Sequence, residues 1–224
     1  MARLQSSSIS RWMPVPMTTP NKITIARIFM IPLFVMMAIY YGRSVVAGSP
    51  LEWQRWFATT LFLIAAASDG IDGYIARRYN QRSRLGEILD PIADKGLLLA
   101  GIITLSVSNW RFEFPVWFPV LVIARDIIVV AGAITLQMLN GTVRVKPSWT
   151  GKISTALQMV AIACIMLQLD LFRVHVWKID LHFLDIPVWL AGLFTAVSGF
   201  GYIVDGLQQL HAKGHGDPQP TNEN

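Results

Sequence analysis

Six apolar stretches, each close to twenty residues long, recur along the chain at roughly 23–43, 54–76, 91–109, 116–139, 150–170 and 184–208. That is the length at which an α-helix crosses the hydrocarbon core of a bilayer. The pattern predicts an all-α, polytopic integral membrane protein with about six transmembrane helices, and it leaves no room for a separate soluble domain. Residues 21–208 form the predicted six-helix membrane domain. Residues 1–20 lack a continuous apolar run, so no cleavable signal peptide is expected. Their MPVPMTTP stretch reads as a proline-broken segment lying at the interface. The tail, 209–224, is polar and carries Gly and Pro, and is expected to be disordered. No internal repeat is visible.

Composition agrees with this pattern. The chain is 53% hydrophobic and 15% charged, with a mean hydropathy of +0.46, where a soluble domain is about a quarter charged. The net charge of +5 raises the question of nucleic acid, and its distribution answers it. With both termini in the cytoplasm, the inward segments hold eleven Lys and Arg residues and the outward ones hold five. This bias is the positive-inside rule, and no nucleic-acid partner is needed to explain it. Trp53, Trp56, Trp110, Trp117, Trp149 and Trp177 lie near the ends of the stretches, where amphipathic rings settle. Cys164 is alone in an apolar stretch, so no disulfide framework exists.

Against this background the charged residues inside or beside the apolar stretches stand out: Arg27, Asp69, Asp72, Asp94, Lys95, Arg125, Asp126 and Asp205. Each costs roughly 2.5–3.5 kcal/mol on insertion scales and marks a candidate site. Asp69 lies fifteen residues into the second stretch, about 22 Å along a helix, and so near its cytoplasmic end. Asp90 and Asp94 open the third stretch. Asp69 and Asp72 are three apart, Asp90 and Asp94 four apart, so each pair shares a helical face. Four carboxylates converging on one cavity repel unless cations bridge them, and all-oxygen ligands suit Mg²⁺ or Mn²⁺. Two such ions can clamp a phosphoryl group. Gly70, Gly73 and Gly86 are weak helix formers that allow close approach, and the planar fork of Arg77 suits phosphate. Simple ion pairing with Arg77, Arg78 and Lys95 is the ordinary alternative. Two acid pairs with interspersed glycines on consecutive stretches argue against it. Arg78, Arg82 and Arg84 read as topology determinants or lipid-headgroup contacts.

The stretch from Asp69 to Asp94 resembles the signature of the CDP-alcohol phosphatidyltransferase family, D-x-x-D-G-x-x-A-R-x(8)-G-x-x-x-D-x-x-x-D. All eight fixed positions match: Asp69, Asp72, Gly73, Ala76, Arg77, Gly86, Asp90 and Asp94. The resemblance implies that Asp69, Asp72 and Asp90 bind divalent metal, two ions in all. It implies that Asp94 shares in metal binding and is the general base. It also implies that Gly73, Ala76 and Arg77 line the pocket for the cytidine diphosphate. The family commonly carries Pro-Asn, then Thr and Arg, ahead of its first span, matched here by Pro20, Asn21, Thr24 and Arg27. Asn21 and Arg27 are the implied CDP contacts. The implied partners are CDP-diacylglycerol, an anionic alcohol acceptor and membrane lipids. A homodimer and a bacterial inner membrane, with the site facing the cytoplasm, complete the expectation.

The acceptor is less constrained. Arg125, in VIARDIIVV, and Lys152, in VKPSWTGKISTALQM, are the candidates for holding an acceptor phosphate. Arg125 can instead form an ion pair with Asp126, although adjacent positions on a helix diverge by about 100°. Both phrases resemble two branches of the family, one using sn-glycerol 3-phosphate and the other, the cardiolipin synthases, using phosphatidylglycerol. The first branch commonly has Arg-Glu where this chain has Arg125–Asp126. The glycerol 3-phosphate reading is favoured, with phosphatidylglycerol, inositol phosphate or serine as alternatives. An ion-coupled transporter is the reading from another class. It calls for a midplane site between inverted repeats, whereas these acids crowd one end of a hairpin.

Overall fold

The structure is a computed structural model describing residues 19–78, 84–140, 149–169, 173–176 and 179–213. Within them, the side chains of 19–21, 69–78, 84, 85, 87, 88, 136, 137, 139, 140, 173–176, 179–181 and 207–213 are outside the description. Each apolar stretch is a helix: α1 (Thr19–Val46), α2 (Glu52–Arg78), α3 (Arg84–Val107), α4 (Trp117–Asn140), α5 (Trp149–Leu167) and α6 (Asp185–Lys213). Two helices run well past the hydropathy signal. α3 reaches back to Arg84 through RLGEILD, where Arg84, Glu87 and Asp90 lower the hydropathy while Arg84, Leu85, Glu87 and Leu89 favour helix. α6 continues to Lys213, beyond the predicted end at 208.

Among the described residues, four segments are long and apolar enough to cross a membrane: Lys22–Val46, Trp117–Thr135, Trp149–Leu167 and Asp185–Gly206. α2 and α3 fall below that mark. They are the two helices that carry the charged signature: the described side chains of α2 end at Ser68, and α3 carries Asp90, Asp94 and Lys95. The link between α5 and α6 holds a feature absent from the hydropathy pattern. β1 (Arg173–Val176) pairs antiparallel with β2 (Ile179–His182), with Arg173 opposite His182 and Val176 opposite Ile179.

Two groups of helices make up the bundle. α1 packs against α2 and α3, while α4 and α5 both pack against α6. α1 and α3 run parallel, since Thr24 meets Asp90 near their starts and Gly42 meets Ser108 near their ends. Phe34, Phe62, Leu97, Leu98, Ile102, Leu105, Ile162 and Ile165 fill the centre, each at most 2% exposed. At the end opposite the signature, Tyr41 and Trp110 meet edge to face at 4.7 Å and Phe114 stacks on Phe118 at 4.8 Å. The Trp110 indole Nε1 donates to the Ala38 carbonyl at 3.0 Å, tying the segment after α3 to α1. Gln168 Nε2 donates to the Tyr41 hydroxyl at 3.1 Å. Gly42 has no room for a side chain, because a Cβ there would collide with the Ser108 carbonyl. α1 ends at Val46, and Gly48 in the turn that follows has a φ of 73°, the left-handed conformation that glycine adopts without penalty.

Candidate active site

The site is assembled where α1, α2 and α3 meet near their charged ends. Arg27 lies eight residues from the start of α1, and Asp94 ten from the start of α3. At 1.5 Å per residue both sit about 12–15 Å into the bundle. Thr24 and Arg27 are three apart, Asp90 and Asp94 four apart, and the two faces meet across the parallel helices. Thr24 Oγ1 donates to Asp90 Oδ1 at 2.6 Å, and Arg27 Nη1 to Asp94 Oδ1 at 2.6 Å. The Arg27 guanidinium is 0% exposed, whereas the Asp94 side chain is 38% exposed. Arg27 is thus fixed from behind while Asp94 keeps an open side.

Arg27 also reaches α2, donating from Nε to Ser68 Oγ at 3.2 Å. Ser68 in turn donates to the Ala65 carbonyl at 2.8 Å. Because Ser68 precedes Asp69, this contact sets the start of the signature on α2 at the level of Asp94 on α3. Asp69, Asp72, Gly73, Ala76 and Arg77 occupy the last turns of α2, and Asn21 the first turn of α1. Their side chains lie outside the described residues. Gly86 is buried at the start of α3. Pro91, between the two acids, sits inside α3 and has no N–H to give to the preceding turn.

The donor set fits a hard divalent cation. Asp90 and Asp94 each give an oxygen to α1, and a carboxylate offers two oxygens with about four acceptor directions, the ligand type that Mg²⁺ and Mn²⁺ take. Among the described residues no group of three His, Cys, Asp or Glu residues stands ready to hold a metal. Asp69 and Asp72 lie outside the described side chains.

A second cluster extends the polar band across the bundle. Lys95, next to Asp94, turns toward α4 and donates from Nζ to both oxygens of Asp126, at 2.9 and 2.7 Å. Arg125 Nη1 donates to Asp126 Oδ1 at 2.9 Å, and Arg125 Nη2 to Ser198 Oγ on α6 at 2.8 Å. The Arg125 guanidinium also lies 5.3 Å from the Tyr202 ring. The ion pair weighed from the sequence therefore exists, and Asp126 serves Lys95 as well. Lys152 is exposed at the start of α5 with its ammonium 5.3 Å from the Trp149 ring, and no contact joins it to Arg125. Ser68, Ser198 and the buried α5–α6 trio of Ser154, Gln158 and Thr195 escaped the sequence reading. Hydroxyls and amides inside apolar helices give no hydropathy signal of their own.

Comparison with known proteins agrees with this arrangement. The CDP-alcohol phosphatidyltransferase family profile matches residues 17–198. The CDP-diacylglycerol–glycerol-3-phosphate 3-phosphatidyltransferase of Bacillus subtilis is 34% identical over 195 residues, covering 85% of this chain and 96% of its own. The protein of the same name from Escherichia coli K12 is 34% identical over 160 residues, covering 70% of this chain and 79% of its own. The family is divalent-metal dependent as a rule, in keeping with the acids on α2 and α3. With four helices among the described residues long and apolar enough to cross a membrane, the complete eight-position signature and a profile match over most of its length, the chain belongs to the CDP-alcohol phosphatidyltransferase family, as an integral membrane transferase of phospholipid biosynthesis.

Proposed function

We propose that the chain transfers a phosphatidyl group from CDP-diacylglycerol to sn-glycerol 3-phosphate, releasing CMP and giving phosphatidylglycerophosphate. The observation that carries the reading is the double clamp of Thr24 on Asp90 and Arg27 on Asp94, which sets the second acid pair of the signature beside α1. The names of the two bacterial relatives support the choice of donor and acceptor. Asp69, Asp72, Asp90 and Asp94 are the residues to hold two Mg²⁺ or Mn²⁺ ions. When bound, these supply charge neutralisation for the diphosphate and for departing CMP.

The rest of the chemistry belongs to the chain. Asp94, oriented by Arg27 and open on one side, accepts the proton of the acceptor hydroxyl. That oxygen bonds to the β-phosphorus of the donor as the bond to the CMP oxygen breaks, and CMP carries away the electron pair. Gly73 and Ala76 leave room for the nucleotide, Arg77 and Asn21 contact its diphosphate side, and Arg27, buried behind Asp94, acts on the site through that acid. Arg125 and Lys152 receive the acceptor phosphate. The site faces the cytoplasm of a bacterial inner membrane, within a catalytic domain of 21–208 that associates as a homodimer. An active site at membrane depth suits a donor with lipid tails and a water-soluble head.

The test is CMP release by purified protein with CDP-diacylglycerol and Mg²⁺ or Mn²⁺, acceptors being added singly. Release with sn-glycerol 3-phosphate is expected. Release with phosphatidylglycerol alone would instead make the enzyme a cardiolipin synthase.

A further inference from the structure

We propose that Lys95 and Arg125, held on either side of Asp126, form the pocket that takes the anionic phosphate of the acceptor. The inference rests on the reading that the acceptor is a phosphate ester, and it adds Lys95 as a binding residue and Asp126 as a positioning residue. Two cations surround one carboxylate, so the cluster carries an excess of one positive charge. Each cation also has a donor left over. Lys95 spends two N–H bonds on Asp126, and an ammonium has three. Arg125 spends Nη1 on Asp126 and Nη2 on Ser198, while its Nε is buried with no partner among the described residues. A buried guanidinium N–H left unbonded is costly, and an anion would satisfy it.

Exposure gives the pocket a mouth and a floor. Lys95 is 43% exposed, Asp126 19% and Arg125 11%, so an anion approaches past Lys95 and stops at Arg125. Neighbouring positions on a helix point about 100° apart. Asp94 therefore faces α1 while Lys95 faces α4 from the same turn, and a short alcohol phosphate anchored on Lys95 keeps its hydroxyl within a turn of the base. Lys152, exposed beside Trp149, takes no part in this cluster.

The experiment compares the full-length wild type with Lys95→Gln, Lys95→Arg and the double variant Lys95→Gln/Asp126→Asn, with CMP release measured against each substrate in turn. Wild-type release with sn-glycerol 3-phosphate is established first; its absence sinks the proposed function and not merely this pocket. Given that release, Lys95→Gln is expected to raise the KM for sn-glycerol 3-phosphate about tenfold, leaving the KM for CDP-diacylglycerol within about twofold, and Lys95→Arg to recover most of the loss. Inorganic phosphate should compete with the acceptor in the wild type and lose potency in Lys95→Gln in parallel. If Lys95→Gln fails to accumulate because Asp126 loses its partner, the double variant, which removes both charges together, is expected to show the same acceptor defect. An unchanged acceptor KM in the variant that folds, or a fall confined to kcat, overturns the pocket while leaving the proposed function standing.

Discussion

The two ends of the same helices are held together by opposite means. At the charged end α1 and α3 meet through Thr24–Asp90 and Arg27–Asp94, and α3 meets α4 through Lys95–Asp126. At the other end α1 and α3 meet through the Tyr41–Trp110 edge, the Trp110–Ala38 hydrogen bond and the close contact of Gly42 with Ser108. Partly exposed ion pairs are screened by solvent and recover little beyond their desolvation cost, so the charged end contributes modestly to stability. The aromatic end buries large apolar surface, with the Trp110 indole bonded to Ala38 and the Tyr41 hydroxyl to Gln168, which is the more economical way to join helices. The contrast teaches that this bundle keeps its stability at one end, and there tolerates at the other end the charge that chemistry requires.

Substitutions at the two ends should therefore separate activity from stability. Asp94→Asn is expected to lower transfer by about 10²–10⁴-fold, the usual range for a lost general base, with thermal unfolding in detergent close to wild type. Retained activity would remove Asp94 from that role. Arg27→Met should reduce both properties. It leaves Asp94 without its guanidinium and Ser68 without its donor, at about 1–3 kcal/mol of stability, and the unfolding midpoint and CMP release should fall together. If only stability falls, Arg27 is a strut and not part of the site. Gly42→Val should do the reverse, since its side chain must displace the Ser108 carbonyl. A cost of about 1–3 kcal/mol in stability is expected, with kcat of the folded fraction within about twofold of wild type. Trp110→Phe should cost about 1 kcal/mol through the lost bond to Ala38, again without a change in kcat. The smallest effect is expected at Lys152→Ala, because an exposed cation is screened by solvent. There the requirement for sn-glycerol 3-phosphate should rise more than that for CDP-diacylglycerol, and an unchanged acceptor dependence would take Lys152 out of acceptor binding.

Much of this molecule was legible in its sequence. Six helices stand where six apolar stretches lie, because a span must be apolar for some twenty residues and no other local pattern reads that way. The signature acids were legible for the complementary reason, since charge at membrane depth is too costly to be incidental. The ends of α3 and α6 and the β1–β2 hairpin were less visible. Helix propensity and strand pairing there carry no hydropathy signal.

Pairing between distant residues was decided by the tertiary structure alone. The sequence put Thr24 and Arg27 on one face and Asp90 and Asp94 on another, and the register of α1 against α3 joined them. It offered Lys95 as a partner for the signature acids, and the packing of α3 on α4 gave it to Asp126 instead. Arg125 and Lys152 looked equivalent as embedded or flanking cations, yet one is packed among Asp126, Ser198 and Tyr202 and the other lies exposed beside Trp149. Periodicity along a chain specifies which face of a helix a residue occupies. Which neighbour that face meets depends on the rotation and offset of whole helices, and these are set by all of the packed side chains together.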